Sequence, residues 1–297
     1  MTHKKINIVP VVLFTVVSFF SCVAPIDINT RDSEPVIVIY GQLTDEFEYQ
    51  YIRITSSSPY FDNKTNMVVP NAEVMVTSSG GEEYLFISEK EGYYVSEIFF
   101  AGVPGVTYHL KVEVDFNNDG VMDIYEAETT ILPIVPVDSV DIKLMDIMGY
   151  RHFSLNFYMY EPVETDNYYL FKFFVNDSLS NNKISEFIVS DDQMFNGAYL
   201  SGISLYYFED ATDEKNLTAP RADEEGIYMV KPGDRICLQV LSIEKGYYHF
   251  INECISEKYG ENPFFGGPPS NISTNLSNGA IGYFSGYCIQ ENRTMVP

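Results

Sequence analysis

The densest chemistry in the sequence lies between residues 115 and 126. Asp115, Asn117, Asp119, Gly120, Val121, Asp123 and Glu126 fall in the D-x-[DN]-x-[DN]-G-x5-E spacing of a calcium loop. Ca2+ takes roughly six to eight oxygen ligands. This run offers the side chains of Asp115, Asn117, Asp119, Asp123 and Glu126 and the Val121 carbonyl, around a bend that Gly120 permits. The residues on both sides alternate between apolar and polar, so they read as strands and not as the helices of an EF-hand. Two readings of the loop stay open. One is a Ca2+ site closed by Glu126; the other is a plain Asn-Asn-Asp-Gly hairpin turn, polar because it is exposed.

No second constellation competes with it. His109, His152 and His249 are isolated from one another, without metal-ligand spacing. There is no GxSxG elbow, and no glycine-rich phosphate loop follows a strand. The carboxylate pairs Asp191-Asp192 and Glu224-Glu225 sit in segments that read as loops. A non-enzymatic protein is expected. After Cys22 come Cys237, Cys254 and Cys288, an odd set with no CxxC spacing. A Cys237–Cys254 or a Cys237–Cys288 bridge is open in an oxidising compartment, and so is a set of small core residues.

Residues 1–22 give the address. Lys4 and Lys5 precede the apolar run Ile8–Phe20, which ends in Phe19-Phe20-Ser21-Cys22. That is the layout of a bacterial lipoprotein signal over 1–21, with Cys22 as the lipidated first residue. The run falls short of the about 20 apolar residues of a membrane span. With Lys4 and Lys5 removed, 16 basic residues face 42 acidic ones, a net charge of −26. Such a field repels nucleic acid and anionic headgroups. The 23 Tyr and 21 Phe without any Trp suit half-buried sheets, with rings flat on the pleat and hydroxyls at the rim.

Elements that could hold these residues are short strands. After a tether, 22–35, strands are expected at 36–43, 51–55, 72–78, 82–87, 93–100, 106–114 and 125–132. Val106–Val114 alternates strictly. Leu132-Pro133-Ile134-Val135-Pro136 reads as a stiff joint between two domains, 36–132 and 137–297, each separable from the other. Further strands follow at 139–145, 153–160, 168–175, 184–189, 235–242 and 280–290. A single helix is expected from Glu244 to Tyr259, stopped by Gly260. Residues 209–226 read as an acidic exposed loop. The fold class is mainly β: two tandem antiparallel sandwiches of immunoglobulin or transthyretin type, the second with one helix and a long C-terminal loop. Pro70–Val76, Gly92-Tyr93-Tyr94 and Gly102–Leu110 resemble the transthyretin-like and carboxypeptidase-regulatory repeats.

The C-terminal run Asn262–Phe284, together with Leu241–Phe250, Asp166–Phe171 and Val38–Asp45, resembles the signature of a Bacteroidota cell-envelope lipoprotein family, domain of unknown function 4249. The resemblance covers nearly all of the chain beyond Cys22. It implies an outer-membrane lipoprotein, anchored by lipid, often encoded beside TonB-dependent receptors, and it brings no catalytic residues. An accessory or ligand-binding subunit of a TonB-dependent transport system is the expected role, and a structural or adhesive surface protein of fimbrial type is the alternative. Within 262–279, Pro268, Pro269, Asn271, Asn275 and Gly279 are turn-formers. Phe264 and Phe265 are then candidate partner contacts, unless they plug the base of the second sandwich.

Overall fold

The structure, a computed structural model, describes residues 35–57, 67–218, 227–260 and 272–297. Cys22, Phe264 and Phe265 lie outside the described residues. Pro35–Pro297 forms one compact unit.

Alternating side chains build the N-terminal half from eight strands: β1 (Ile37–Thr44), β2 (Tyr51–Ser56), β3 (Met67–Val68), β4 (Glu73–Ser78), β5 (Glu83–Ser88), β6 (Tyr93–Ser96), β7 (Thr107–Val114) and β8 (Asp123–Thr130). In β7 the residues Tyr108, Leu110, Val112 and Val114 turn inward while His109 faces out. Val74 and Val76 of β4 do the same. These meet Ile37, Ile39, Leu43, Ile52 and Ile54 across a first core.

The C-terminal half holds β9 (Val137–Ile147), β10 (Tyr150–Tyr160), β11 (Tyr168–Val175), β12 (Ser178–Leu179), β13 (Ile188–Asp191) and β14 (Tyr199–Asp210). It continues with α1 (Glu214–Thr218), β15 (Met229–Val230), β16 (Arg235–Ser242), α2 (Lys245–Gly260) and β17 (Ile281–Met295). A second core packs Phe153, Leu155 and Phe208 against Phe171, Phe173 and Leu238. A third lies under α2, where Tyr247, Phe250 and Ile251 meet Leu170, Leu241 and Tyr287.

Two mixed sheets result. One has 13 strands along the order β12-β11-β16-β17-β1-β2-β6-β5-β4-β7-β8, with β13 added on β11 and β3 on β2. The other has four, β15-β14-β10-β9. The purely antiparallel expectation is corrected at β1–β17 and β14–β15, which pair in parallel. Parallel neighbours need a long crossover, and for β1 and β17 the crossover is nearly the whole chain, so no local pattern announces it. β17 changes partner midway. Ile281–Tyr287 pairs with β1, and Cys288–Met295 pairs antiparallel with β16. The joint at 132–136 carries the chain from the first core, which includes Ile131, to the second, which includes Val135. The sheet itself runs on past it through β17.

Several local expectations also shift. The strand expected over 93–100 stops at Ser96, and 184–189 divides into a 3-10 turn (Ile184–Glu186) and β13. The acidic stretch from Glu209 opens with the end of β14 and then forms α1. Buried Asn216 holds α1 down by donating to the carbonyls of Arg151 (2.7 Å) and Asp210 (3.1 Å). All three cysteines are free. Cys237 pairs with Arg293 across β16 and β17, whereas Cys288 pairs with Ser242. That offset is about 17 Å of strand, far beyond the about 7 Å a disulfide can bridge.

A fragment of residues 36–132 would lack the Phe284 and Cys288 of the first core and leave one side of β1 unpaired. It is expected to be unfolded alone by circular dichroism and to gain β structure when residues 272–297 are supplied in trans.

Candidate functional site: an aromatic cleft beside a rigid acidic loop

The 115–126 run folds as a turn knit by its own side chains. Asn118 and Gly120 adopt positive φ, 57° and 86°. The Asp115 carboxylate accepts the N–H groups of Asp119 (3.0 Å) and Gly120 (2.9 Å), and Asp119 Oδ1 accepts the N–H of Val121 (2.8 Å). Asn117 Oδ1 lies 3.3 Å from Asp119 N, and Asp123 Oδ2 lies 3.4 Å from Phe116 N. The structure thus gathers Asp115, Asn117, Asp119 and Asp123 around backbone donors. It keeps Glu126 apart, in β8 opposite Lys111, with its N–H bonded to Ser277 Oγ at 2.8 Å. Glu126 is three residues past Asp123, about 10 Å along a strand. An odd offset along the strand also turns Glu126 to the opposite face from Asp123. Among the described residues no group of three or more His, Cys, Asp or Glu is placed to hold a metal.

A cleft of about 510 Å3 opens instead along the outer face of β1 and β2. Small-molecule sites span roughly 300–1,000 Å3. The strand period fixes its lining: residues alternate with the core positions Ile39, Ile52 and Ile54, so Tyr40 and Gln42 of β1 and Tyr51 and Arg53 of β2 face the cleft. Phe250 of α2 forms one wall, and Glu48 and Tyr49 of the β1–β2 loop close one end.

The floor is polar but uncharged. Tyr40 and Tyr247 share a hydrogen bond of 2.5 Å between hydroxyls, and the Gln42 amide donates to both, at 2.9 Å and 3.2 Å. Burial holds the Tyr40 phenol well above its ordinary pKa and raises that of Tyr247, so both stay protonated and act as neutral donors and acceptors. At the mouth, the Arg53 guanidinium stands 5.2 Å from the Tyr93 ring centroid, a cation–π distance. Aromatic walls, amide and hydroxyl groups, and one arginine can bind and orient a small molecule. At the loop end of the lining the Thr44 hydroxyl donates to Glu48 Oε1 at 3.5 Å.

Gln50 anchors the loop at the end of the cleft. Gln50 is 2 % exposed. Its Oε1 accepts Thr44 N–H at 2.9 Å, and its Nε2 donates to the carbonyls of Phe100 (3.1 Å) and Glu46 (3.2 Å). Ser96 Oγ in turn accepts the Gln50 N–H at 3.0 Å. Sequence reasoning missed both the cleft and this loop, because Asp45–Gln50 falls between two strands and passes for an ordinary polar turn. The usable signal was Phe47 between Glu46 and Glu48, followed by Tyr49, where hairpin loops normally carry small polar residues.

Other titratable groups are engaged elsewhere. His109 lies 3.5 Å from Glu128 on the surface of the β7–β8 pair. His152 Nδ1 is 3.0 Å from the Tyr150 carbonyl. Glu161, buried, accepts from the Tyr169 hydroxyl (2.6 Å) and Asn167 Nδ2 (2.7 Å), and burial raises its pKa.

Two substitutions test this assignment by thermal melting. Gln50→Leu orphans Thr44 N–H and two carbonyls and is expected to cost about 2–3 kcal/mol. Asp115→Ala loses two turn hydrogen bonds and is expected to cost about 1 kcal/mol. Wild-type melts with excess Ca2+ and with chelator should superimpose if the turn stands on hydrogen bonds alone, and a calcium-dependent rise would assign the ion to it.

None of the curated proteins matches the chain. The family model described as Domain of unknown function (DUF4249) matches residues 23–293, which takes in the cleft and both sheets up to the last two residues of β17. The chain belongs to that family.

Proposed function

We propose that this protein is a lipid-anchored component of the outer membrane that serves a TonB-dependent transport system as a non-enzymatic, ligand-binding or docking subunit. The observation that carries this reading is the cleft over β1 and β2, whose aromatic rings, amide and hydroxyl groups and arginine suit binding. The leader 1–21 with Cys22 supports the anchor. The first and second cores are read as two sandwich units that share β17. The alternative, a fimbrial subunit that exchanges a terminal strand, is disfavoured by the place of β1, which lies between β2 and β17 and not at an edge. Ca2+ at the 115–126 turn has the motif spacing as its support, and the strand position of Glu126 counts against it.

Cys22→Ala tests the anchor and the partner together. Wild-type protein is expected in the outer-membrane fraction, with an acylated N-terminus by mass and a TonB-dependent receptor co-purifying. The variant is expected to accumulate as unprocessed precursor or as soluble protein, without the receptor. Unchanged mass and fractionation of the variant would overturn the anchor. Absence of any receptor from the wild-type preparation would overturn the partner.

A further inference from the structure

The β1–β2 loop displays a surface that extends past the cleft, whose lining takes in Glu48 and Tyr49 but not Phe47, Ile98 or Phe99. Phe47 is 75 % exposed, Ile98 57 % and Phe99 50 %. Their rings gather: the Tyr49 centroid is 4.1 Å from that of Phe99, and Phe47 is 6.0 Å away. Single exposed apolar residues need no explanation, but three aromatics and an isoleucine converging from two loops form a patch of the kind that marks a contact surface. The patch is also rigid. Glu48 and Phe100 form a β-bridge that ties the two loops together, and Gln50 bonds to both of them. The ordering cost of such anchors is therefore met in the free protein.

The charge around the patch narrows what can cover it. Asp45, Glu46, Glu48 and Glu291 crowd its base; burial first, then repulsion from the other three, pushes the Glu46 carboxyl above its ordinary range. Among the described residues no lysine or arginine forms an ion pair with Glu46 or Glu48. A second copy of the chain would fit badly, because a two-fold contact lays the same patch on itself and sets Glu46 and Glu48 against their own counterparts. A lipid surface would fit badly too. Inserting Phe47 would drag its sequence neighbours Glu46 and Glu48 out of water, and an anionic leaflet repels a chain of this charge. Cations on a protein partner would relieve the crowding and leave the rings free to fill a pocket.

We propose that the Glu46–Tyr49 loop, with Ile98 and Phe99, docks a folded protein partner through an apolar pocket rimmed by lysine and arginine side chains. The proposal rests on the reading that this protein serves a membrane partner, and it names the surface that meets it.

A photocrosslinker at the tip is the test. Full-length protein carrying Phe47→p-benzoylphenylalanine is irradiated in its native membrane, and the adduct site is mapped by peptide mass. The expected result is an adduct to one protein, at a segment where basic residues border apolar ones. The adduct should fall at least about tenfold when Glu46→Lys and Glu48→Lys are combined, and it should weaken with added salt. Both glutamates are exposed, so the double variant should melt like the wild type. An adduct to a second copy, an adduct to phospholipid, an acidic or wholly apolar adduct site, or no adduct overturns the proposal. If wild-type protein still brings down a TonB-dependent receptor while residue 47 fails to crosslink, the docking surface is wrong and the proposed function stands. If residue 47 reaches a basic-rimmed protein and no receptor co-purifies, the reverse holds.

Discussion

Most of this molecule depends on the double pairing of β17. Its first seven residues pair with β1 in the N-terminal part of the 13-stranded sheet, and its last eight pair with β16 in the C-terminal part. One face of the strand supplies Phe284 and Cys288 to the first core, while the other supplies Tyr283 and Tyr287 to the core under α2. Gln290 adds a further tie, since its amide accepts the N–H of Val137 and donates to the Val137 carbonyl, both at 2.8 Å, and so pins the start of β9. Close approach to β1 requires glycine. Gly282 has φ of 108°, and a Cβ there would stand 2.1 Å from the Ile39 carbonyl oxygen. Gly41 leaves the space that the Phe284 ring fills.

The cleft is a consequence of that arrangement. Because β1 is an interior strand, its outward face is a fixed floor, and α2 can lean on one side of it through Tyr247 and Phe250. The helix covers the β17 side of β1 and leaves the β2 side open, which is where Tyr51 and Arg53 stand exposed. The Tyr40–Tyr247–Gln42 group joins helix to floor with hydrogen bonds between neutral partners, which avoids the desolvation cost a buried ion pair would carry. At the far end of β1, the Gln50 amide does the equivalent for the loop with four bonded groups. The site therefore owes its shape to two satisfied polar networks on a sheet that cannot slide.

Much of the fold was legible before any coordinates. β11 (Tyr168–Val175) and β16 (Arg235–Ser242) coincide with the segments expected at 168–175 and 235–242, and the long helix begins one residue after the expected Glu244. The alternation in β4 and β7 assigned core and surface correctly. Elements stabilised by distant partners were not legible. β14 alternates poorly where its register with β10 shifts twice, and α1 is five residues long, held by Asn216 and by Asp210 beside Arg151 at 2.9 Å. A helix that short has no stability of its own. Of the candidate site, the acidic turn was visible as a motif, whereas its use of Asp115 and Asp119 to hold backbone N–H groups was not.

The sequence by itself determined the mainly β class, the inward and outward sides of each regular strand, the strongly acidic surface and the family signature. These follow from composition and from a two-residue period, which local sterics and burial impose wherever a strand forms. Only the tertiary structure decided that β1 and β17 lie parallel, that one strand serves two cores, that Cys237 and Cys288 are too far apart to bridge, and that Tyr40, Gln42 and Arg53 share a cleft with Phe250. Each of these is a pairing between residues far apart in the chain. Register and partner are set there by how whole faces fit together, and no window of neighbouring residues contains that information.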